Sequence, residues 1–294
     1  MKRIFSAILA TLMLSSAAVA TVSAAAKVEG RKTIEAYIAT DITIDGKVEE
    51  AWNYAPEVEL NVLKSNTSKE WYKDTMKAGV DYAKATAKVL WDGDKTLYIL
   101  NTIVDKTPNY TAANAWDKDG IDLFLHWENT TVAGTAKSKQ YRVVSDGSSV
   151  SKNAVAKISK SGDTIIMEWS VPLDTAKIGG KVAGEYIGID FQCNDNVLGK
   201  GARECNLGWS DKEDKASSDA SVYGQCLLSA KKVADVKAAQ TTAATTKAPA
   251  STTAATTKAP TTKPASPATF DAGILMAVAA AASCAGVVVS KKRK

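Results

Sequence analysis

"TAKVLWDGDKTLYILNTIVD", Thr86 to Asp105, reads as two runs of β-branched and aromatic residues around Asp92-Gly93-Asp94. An Asp-Gly turn between alternating apolar runs is a strong short-range hairpin signal. "NAVAKISKSGDTIIMEWSVPL" (Asn153–Leu173) repeats the pattern around Ser161-Gly162-Asp163. "GIDLFLHWE", "KQYRVVSDG", "YIGIDFQCND", "RECNLGW" and "YGQCLLSA" supply further short strands, and "KVEEAWNYAP" one helical turn before Pro56. Nine or ten short strands with regular turns and no long helical period predict an all-β domain, an antiparallel β-sandwich of jelly-roll type.

The ends of the chain read differently. Residues 1–26 have a basic start (Lys2, Arg3), an apolar run and small residues up to Ala26, the pattern of a secretory signal peptide. Residues 231–269 carry "TTAATTKAP" twice, a Thr/Ala/Pro/Lys linker expected to stay extended. Residues 270–294 combine an apolar stretch, Ile274 to Val289, with the basic end Lys291-Lys292-Arg293-Lys294. This is expected to be a cell-envelope anchor with its basic end in the cytoplasm. "SPATFDAG" (Ser266–Gly273) resembles a degenerate Gram-positive sorting signal, departing from Leu-Pro-x-Thr-Gly at Ser266 and Phe270. The folded part is then residues 27–230, one domain large enough for a real core. The expected location is outside the cell, tethered to its surface.

The whole-chain charge of +5 is concentrated at the ends, because residues 26–230 hold 25 Lys+Arg against 30 Asp+Glu, a net of −5. Such a domain has no electrostatic footprint for nucleic acid. Three cysteines fall in it, too few for a disulfide scaffold. Cys193 and Cys205 flank a predicted turn, so a cross-hairpin disulfide and three buried thiols both remain open.

Strand parity decides which side chains share a surface. Ile121, Leu123, Leu125 and Trp127 fall on one side of their strand, and Asp122, Phe124 and His126 on the other. Tyr141 and Val143 oppose Gln140 and Arg142, while Ile187, Ile189 and Phe191 oppose Gly188, Asp190 and Gln192. Three strands thus offer a polar face containing Asp122, Arg142 and Gln192, either a solvated surface or the lining of a concave sheet. Just ahead of it, "NAWDKDG" puts Trp116 among charged and small residues, where the ring either folds inward as a lid or stands as an exposed platform.

"ITIDGKVEEAWNYAP", "AKVLWDGDKTLYILNTIVDKTP", "WDKDGIDLFLHWEN", "QYRVV", "IIMEWSVPL" and "IGIDFQCNDNVLGKGARECNLGWSD" occur in this order. Together they resemble the family 9 carbohydrate-binding modules, β-sandwiches related to DOMON domains, over about Thr43 to Ala230. The resemblance implies a slot at the edge of the concave sheet. There, two tryptophans sandwich a sugar ring and polar groups bond its hydroxyls. By position it implies Trp116 as the first tryptophan, Asp122 as the carboxylate, Arg142 as the arginine of the next strand, and Gln192 and Asp195 as the polar pair. The second tryptophan's position is Ser217 here, and the amide's is Asp214. Trp71 or Tyr72 in "SKEWYKD" is the alternative source of a second wall.

Other chemistries have weaker support. A glycosidase needs two carboxylates across a cleft, about 5–9.5 Å apart. The E-x-D-x-E strand signature of jelly-roll glycosidases is absent, leaving Asp122, Asp190 and Asp195 as the available acids. The one histidine, His126, with Met76 or Met167, could serve a haem-binding variant of the sandwich. The oxygen-rich loops "WDKDG" and "SDKEDKASSD" suit a structural calcium, as in related modules, though neither is an EF-hand. The expectation is a monomeric, non-catalytic module without organic cofactor. It would bind ends of xylan- or cellulose-type oligosaccharides at the cell surface. The alternatives are a surface interaction module that has lost sugar binding, and a haem module.

Overall fold

The computed structural model describes residues 25–64, 81–178, 182–199 and 201–246. The predicted signal peptide up to residue 24, the anchor at 270–294, and Trp71, Tyr72 and Met76 lie outside the described residues. Among the described residues no helix is long and apolar enough to cross a membrane.

Twelve strands are described: β1 (Thr33–Ile38), β2 (Glu57–Glu59), β3 (Val62–Leu63), β4 (Lys84–Trp91), β5 (Thr96–Val104), β6 (Gly120–His126), β7 (Lys139–Val144), β8 (Val155–Ser161), β9 (Thr164–Pro172), β10 (Tyr186–Asp195), β11 (Cys205–Gly208) and β12 (Gly224–Lys232). Pairing runs β3-β11-β10-β12-β1-β4-β5-β9-β8, with β2 on β4, β6 on β10 and β7 on β6. The two hairpins expected from sequence are β4–β5 and β8–β9. In the first, Asp92 Oδ1 accepts from the backbone N–H groups of Asp94, Lys95 and Thr96, and Gly93 takes φ +84°. Asp and Gly are there because one caps the turn and the other tolerates its left-handed backbone.

The path folds back on itself at β1. Thr33 to Ala36 run beside β12, Tyr37 and Ile38 beside β4, and a bulge lies between Ala36 and Ile38. The strand thereby leaves one sheet for the other, a common use of a bulge. Both of its pairings are parallel, so the sheet is mixed where pure antiparallel pairing was expected. Parallel pairing needs a long crossover, and between β1 and β12 the crossover is nearly the whole domain.

The core fills the space between the layers. Ile121, Leu123 and Leu125 of β6 and Ile187, Ile189 and Phe191 of β10 meet Val89 and Trp91 of β4, Ile99 of β5, and Met167 and Trp169 of β9. Every one of these is 0 % exposed. Trp169 Nε1 donates to Asn101 Oδ1 at 2.8 Å, so the polar atom that this large ring brings inside is satisfied. Cys193, Cys205 and Cys226 are buried free thiols, which closes the disulfide alternative.

The predicted linker begins differently from expectation. β12 continues to Lys232 and is followed by α1 (Val233–Thr246). Five alanines and no glycine or proline make "VADVKAAQTTAATT" a good helix former. Val233 is buried in a small cluster with Trp52 and Leu90, and Lys237 Nζ reaches both Glu50 carboxylate oxygens at 2.8 Å. Those contacts dock the first turns.

Gly120 opens β6 because a side chain has no room there. A Cβ would lie 2.5 Å from Val143 O and 3.0 Å from Val144 Cα, both backbone atoms that cannot swing away. Gly120→Ala should therefore cost about 1–3 kcal/mol in a denaturant melt. Gly134→Ala, where no atom lies within 4 Å and φ is +76°, should lose only about 1 kcal/mol of backbone strain. Equal losses would mean that the β6–β7 approach is looser than it is drawn.

Candidate functional site

The outer face of β7, β6, β10 and β11 carries polar side chains in rows set by strand register. Arg142, Asp122, Gln192 and Gly208 face one another across the four strands. The next row toward the β6 start is Val144, Gly120, Asn194 and Asn206. Asp122 is 0 % exposed, Gln192 3 % and Asn194 1 %, whereas Arg142 and Gln140 are half-buried.

A charge removed from water needs partners, and Asp122 has three. Arg142 Nη2 donates to its Oδ2 at 2.8 Å, Asn194 Nδ2 to the same oxygen at 2.9 Å, and Gln140 Nε2 to Oδ1 at 3.2 Å. Gln192 Nε2 donates to Asn194 Oδ1 at 2.6 Å, which orients the Asn194 amide. Arg142 Nε is buried with no acceptor. Asn194 was not singled out from sequence, although the parity that selected Gln192 also selects the residue two further on.

Trp116 stands at the same end of the sheet, in a 3-10 turn (Ala115–Asp117) four residues before β6. Its side is open: 48 % of the residue is exposed, which decides for the platform and against the lid. The turn is tied down through its backbone. Arg203 Nη1 donates to Trp116 O, and Asn196 Nδ2 donates to Asp117 O at 2.8 Å.

The other end of the face is closed by the segment 209–223. Asp190 accepts from the N–H groups of Ser210 and Asp211, and Asp211 accepts from Glu213, Lys215 and Ala216. Lys64 lies across Gly208, pairs with Asp211 Oδ2 at 3.1 Å, and sits 5.6 Å from the centre of the Phe124 ring. Both charged side chains of that pair are fully buried. Phe124, Ala216, Ala220 and Tyr223 form an apolar plug beneath the segment. The loop "SDKEDKASSD" thus spends its first acid on Lys64 and on backbone N–H groups. Ser217 is exposed on this segment, its carbonyl accepting from Lys137 Nζ.

Asp195 departs from its predicted place. On β10 it has the parity of Phe191 and Cys193, so it turns inward, away from Gln192 and Asn194. The Gln-x-Asn-Asp spacing puts neighbours in sequence on opposite faces of the sheet. Asp195 joins Asp105, just past β5, and Asp119, just before β6. One carboxylate oxygen from each lies within 4.8 Å of the others. All three are buried, at 0 to 3 % exposure. Burial first, and then the neighbouring carboxylates, pushes Asp119 up to about 8. Burial pushes Asp195 up to about 6. Asp105 Oδ2 and Asp195 Oδ1 are buried with no partner. Three desolvated carboxylates, two of them with an orphaned oxygen, fit a hard cation such as calcium, which takes oxygen ligands. Of the two loops suspected from sequence, "WDKDG" contributes Asp119.

A second acidic group, Asp45, Glu49 and Glu168, differs in kind. Both Glu168 oxygens already accept, from Asp45 N, Gly46 N and Trp52 Nε1, and Asp45 is exposed. His126 lies on the outer face of β6 and Met167 in the interior, so the two cannot face a common ligand. Nor do Asp122 and Asp190 form an acid–base pair. One is held by Arg142, and both oxygens of the other accept backbone N–H groups.

If Asp122 is held as described, Arg142→Met should cost about 3–5 kcal/mol, because it strands a buried carboxylate. Adding Asp122→Asn should restore part of that loss. A double-mutant cycle by urea melts measures the coupling, and additivity would show that the pair is not coupled.

A family model described as carbohydrate family 9 binding domain-like matches residues 44–231. Endo-1,4-beta-xylanase C of Paenibacillus barcinonensis is 32% identical over 195 residues, 63% of this chain and 16% of the xylanase. Exoglucanase XynX of Acetivibrio thermocellus is 30% identical over 197 residues, 64% of this chain and 16% of that protein. The chain therefore spans about one sixth of the length of these curated relatives. Among solved structures, a family 9 carbohydrate-binding module from Caldicellulosiruptor kristjanssonii in complex with cellotriose superposes with TM-score 0.55 at 20% identity, covering 68% of this chain and 95% of that one. The same organism's module in complex with glucose gives 0.56 at 19%, covering 68% and 97%. At that identity the likeness carries the fold.

Proposed function

The chain belongs to the carbohydrate family 9 binding domain-like family, and on that premise we propose that it is a non-catalytic module binding the ends of xylan- or cellulose-type oligosaccharides. Its site is the end of the outer face where Trp116 stands beside the Asp122 row. The observation that carries this reading is the Arg142 guanidinium. It is anchored to Asp122 through Nη2, yet its buried Nε has no acceptor, and it lies at the half-open edge of the face. A sugar hydroxyl supplies what that donor lacks, while the exposed indole offers a flat apolar surface to the C–H face of a pyranose. Asp122, Gln192 and Asn194 complete the hydroxyl partners. Asp195 does not belong to this set, because it faces the other way.

The cluster of Asp105, Asp119 and Asp195 is the proposed calcium site, supported by the orphaned oxygens. Bound there, the ion would supply positive charge to three desolvated carboxylates. The signal-like start and the apolar, basic end support a module held outside the cell on a tether, and the domain is expected to be monomeric.

With Ser217 where a second aromatic wall would stand, binding should be weak, about 10 µM to 1 mM, or roughly 4–7 kcal/mol. Trp116→Ala should abolish binding of cellobiose and xylobiose in calorimetric titration and leave the melting temperature nearly unchanged, since the ring is half out of the protein. Ser217→Trp should tighten binding. A wild-type domain that ignores both sugars would instead be an interaction module on the same fold. A Trp116→Ala variant that melts as a core deletion would, losing about 3–5 kcal/mol, would make the ring structural.

A further inference from the structure

We propose that a divalent cation held by Asp105, Asp119 and Asp195 clamps the Trp116 turn, so that sugar affinity is cation-dependent. This inference rests on the sugar-site reading above and adds a regulator to it.

The geometry comes first. Asp105 belongs to the layer of β5, whereas Asp119 and Asp195 belong to β6 and β10 of the other layer. The carboxylates therefore meet where the two layers come together at one end of the sandwich. Asp119 is the junction. One of its carboxylate oxygens accepts from Asn109 N and the other from Asn196 N. Its carbonyl accepts from Ser145 N at 2.9 Å. Asn196, fixed by that bond, donates its side-chain Nδ2 to Asp117 O at 2.8 Å. Asp117 is the residue after Trp116, and Asp119 is only two further on. The exposed ring is thus carried by a turn whose backbone is held from the carboxylate cluster, directly along the chain and again through Asn196.

Charge decides what the cluster does. Three carboxyl groups this close and this dry cannot all carry charge without a counter-charge, and no described lysine or arginine is paired with any of them. Without a cation no bond through the cluster ties the ends of β5, β6 and β10 together, and the Trp116 turn rides on the β6 end. A divalent cation bonded to all three carboxylates draws the three segments together. The Asp122 row does not need it, because Arg142 neutralises that carboxylate from within the protein. The cation therefore acts on where the platform stands relative to a face that is already built.

The effect is a coupling between two sites, and such couplings are reciprocal. In the wild-type domain, calorimetric titration with cellobiose in calcium and in chelator should differ in affinity by about tenfold, with calcium restoring the tighter value. The comparison is made at a temperature where circular dichroism shows both states fully folded, so that general stabilisation does not enter. Saturating cellobiose should tighten calcium binding by the same factor. Asp105→Asn should bind cellobiose as the chelated wild type does, at every calcium concentration. Amide hydrogen exchange at residues 114–119 should slow on adding calcium without any sugar present, which reports the clamp independently of sugar binding. Equal cellobiose affinity in calcium and chelator, in a protein shown by titration to bind calcium, overturns the clamp and leaves the sugar site standing. Calcium that fails to bind overturns it as well. A domain that slows exchange at 114–119 with calcium but ignores cellobiose and xylobiose overturns the claim of cation-dependent affinity and removes the sugar-site reading with it.

Discussion

A carboxylate taken out of water must be matched, and the way this domain matches its buried carboxylates organises everything near its site. On the outer face of β6 and β10, Asp122 is matched by Arg142, Gln140 and Asn194. Under the segment 209–223, Asp211 is matched by Lys64 and by three backbone N–H groups. At the inward end of β10, Asp195 meets Asp105 and Asp119, and among the described residues no lysine or arginine is paired with them. The first two are complete and rigid. The third is incomplete, with Asp105 Oδ2 and Asp195 Oδ1 buried and without a partner.

These three solutions divide the outer face into working parts. The Lys64–Asp211 pair and the Phe124–Tyr223 plug fill one end, so the polar rows are left only toward the β6 start. The Arg142–Asp122 bond is structural first. It cancels a buried charge and holds a guanidinium whose Nε is still unmet. Trp116 stands outside the sheet, on a turn tied to the strand ends through Asn196 and Arg203.

Much of this was legible in one dimension. The Asp-Gly turn of the first hairpin and the Gly-Asp turn of the second stand where the sequence puts them, because turn chemistry is local. Alternation placed Ile121, Leu123 and Leu125 inward and Asp122 outward, because side chains of a strand alternate without exception within a regular run. The Arg142–Asp122 partnership followed from two such strands lying side by side. The same rule, applied strictly, separates Asp195 from Gln192 and joins Asn194 to it. Position-by-position transfer from a family pattern overrode it there.

What the sequence determined by itself is the set of local preferences: which segments are strands, where they turn, which face of each is apolar, and that a tryptophan set among polar residues precedes β6. What only the tertiary structure decided is which distant groups share a space. Asp105, Asp119 and Asp195 lie on separate strands and loops, and Lys64 meets Asp211 across most of the domain. The parallel placement of β1 and the docking of α1 are of the same kind, because each depends on partners remote in the chain. Periodicity describes a segment against its own neighbours. Charge pairing depends on distance in space, and that distance exists only once the layers have closed.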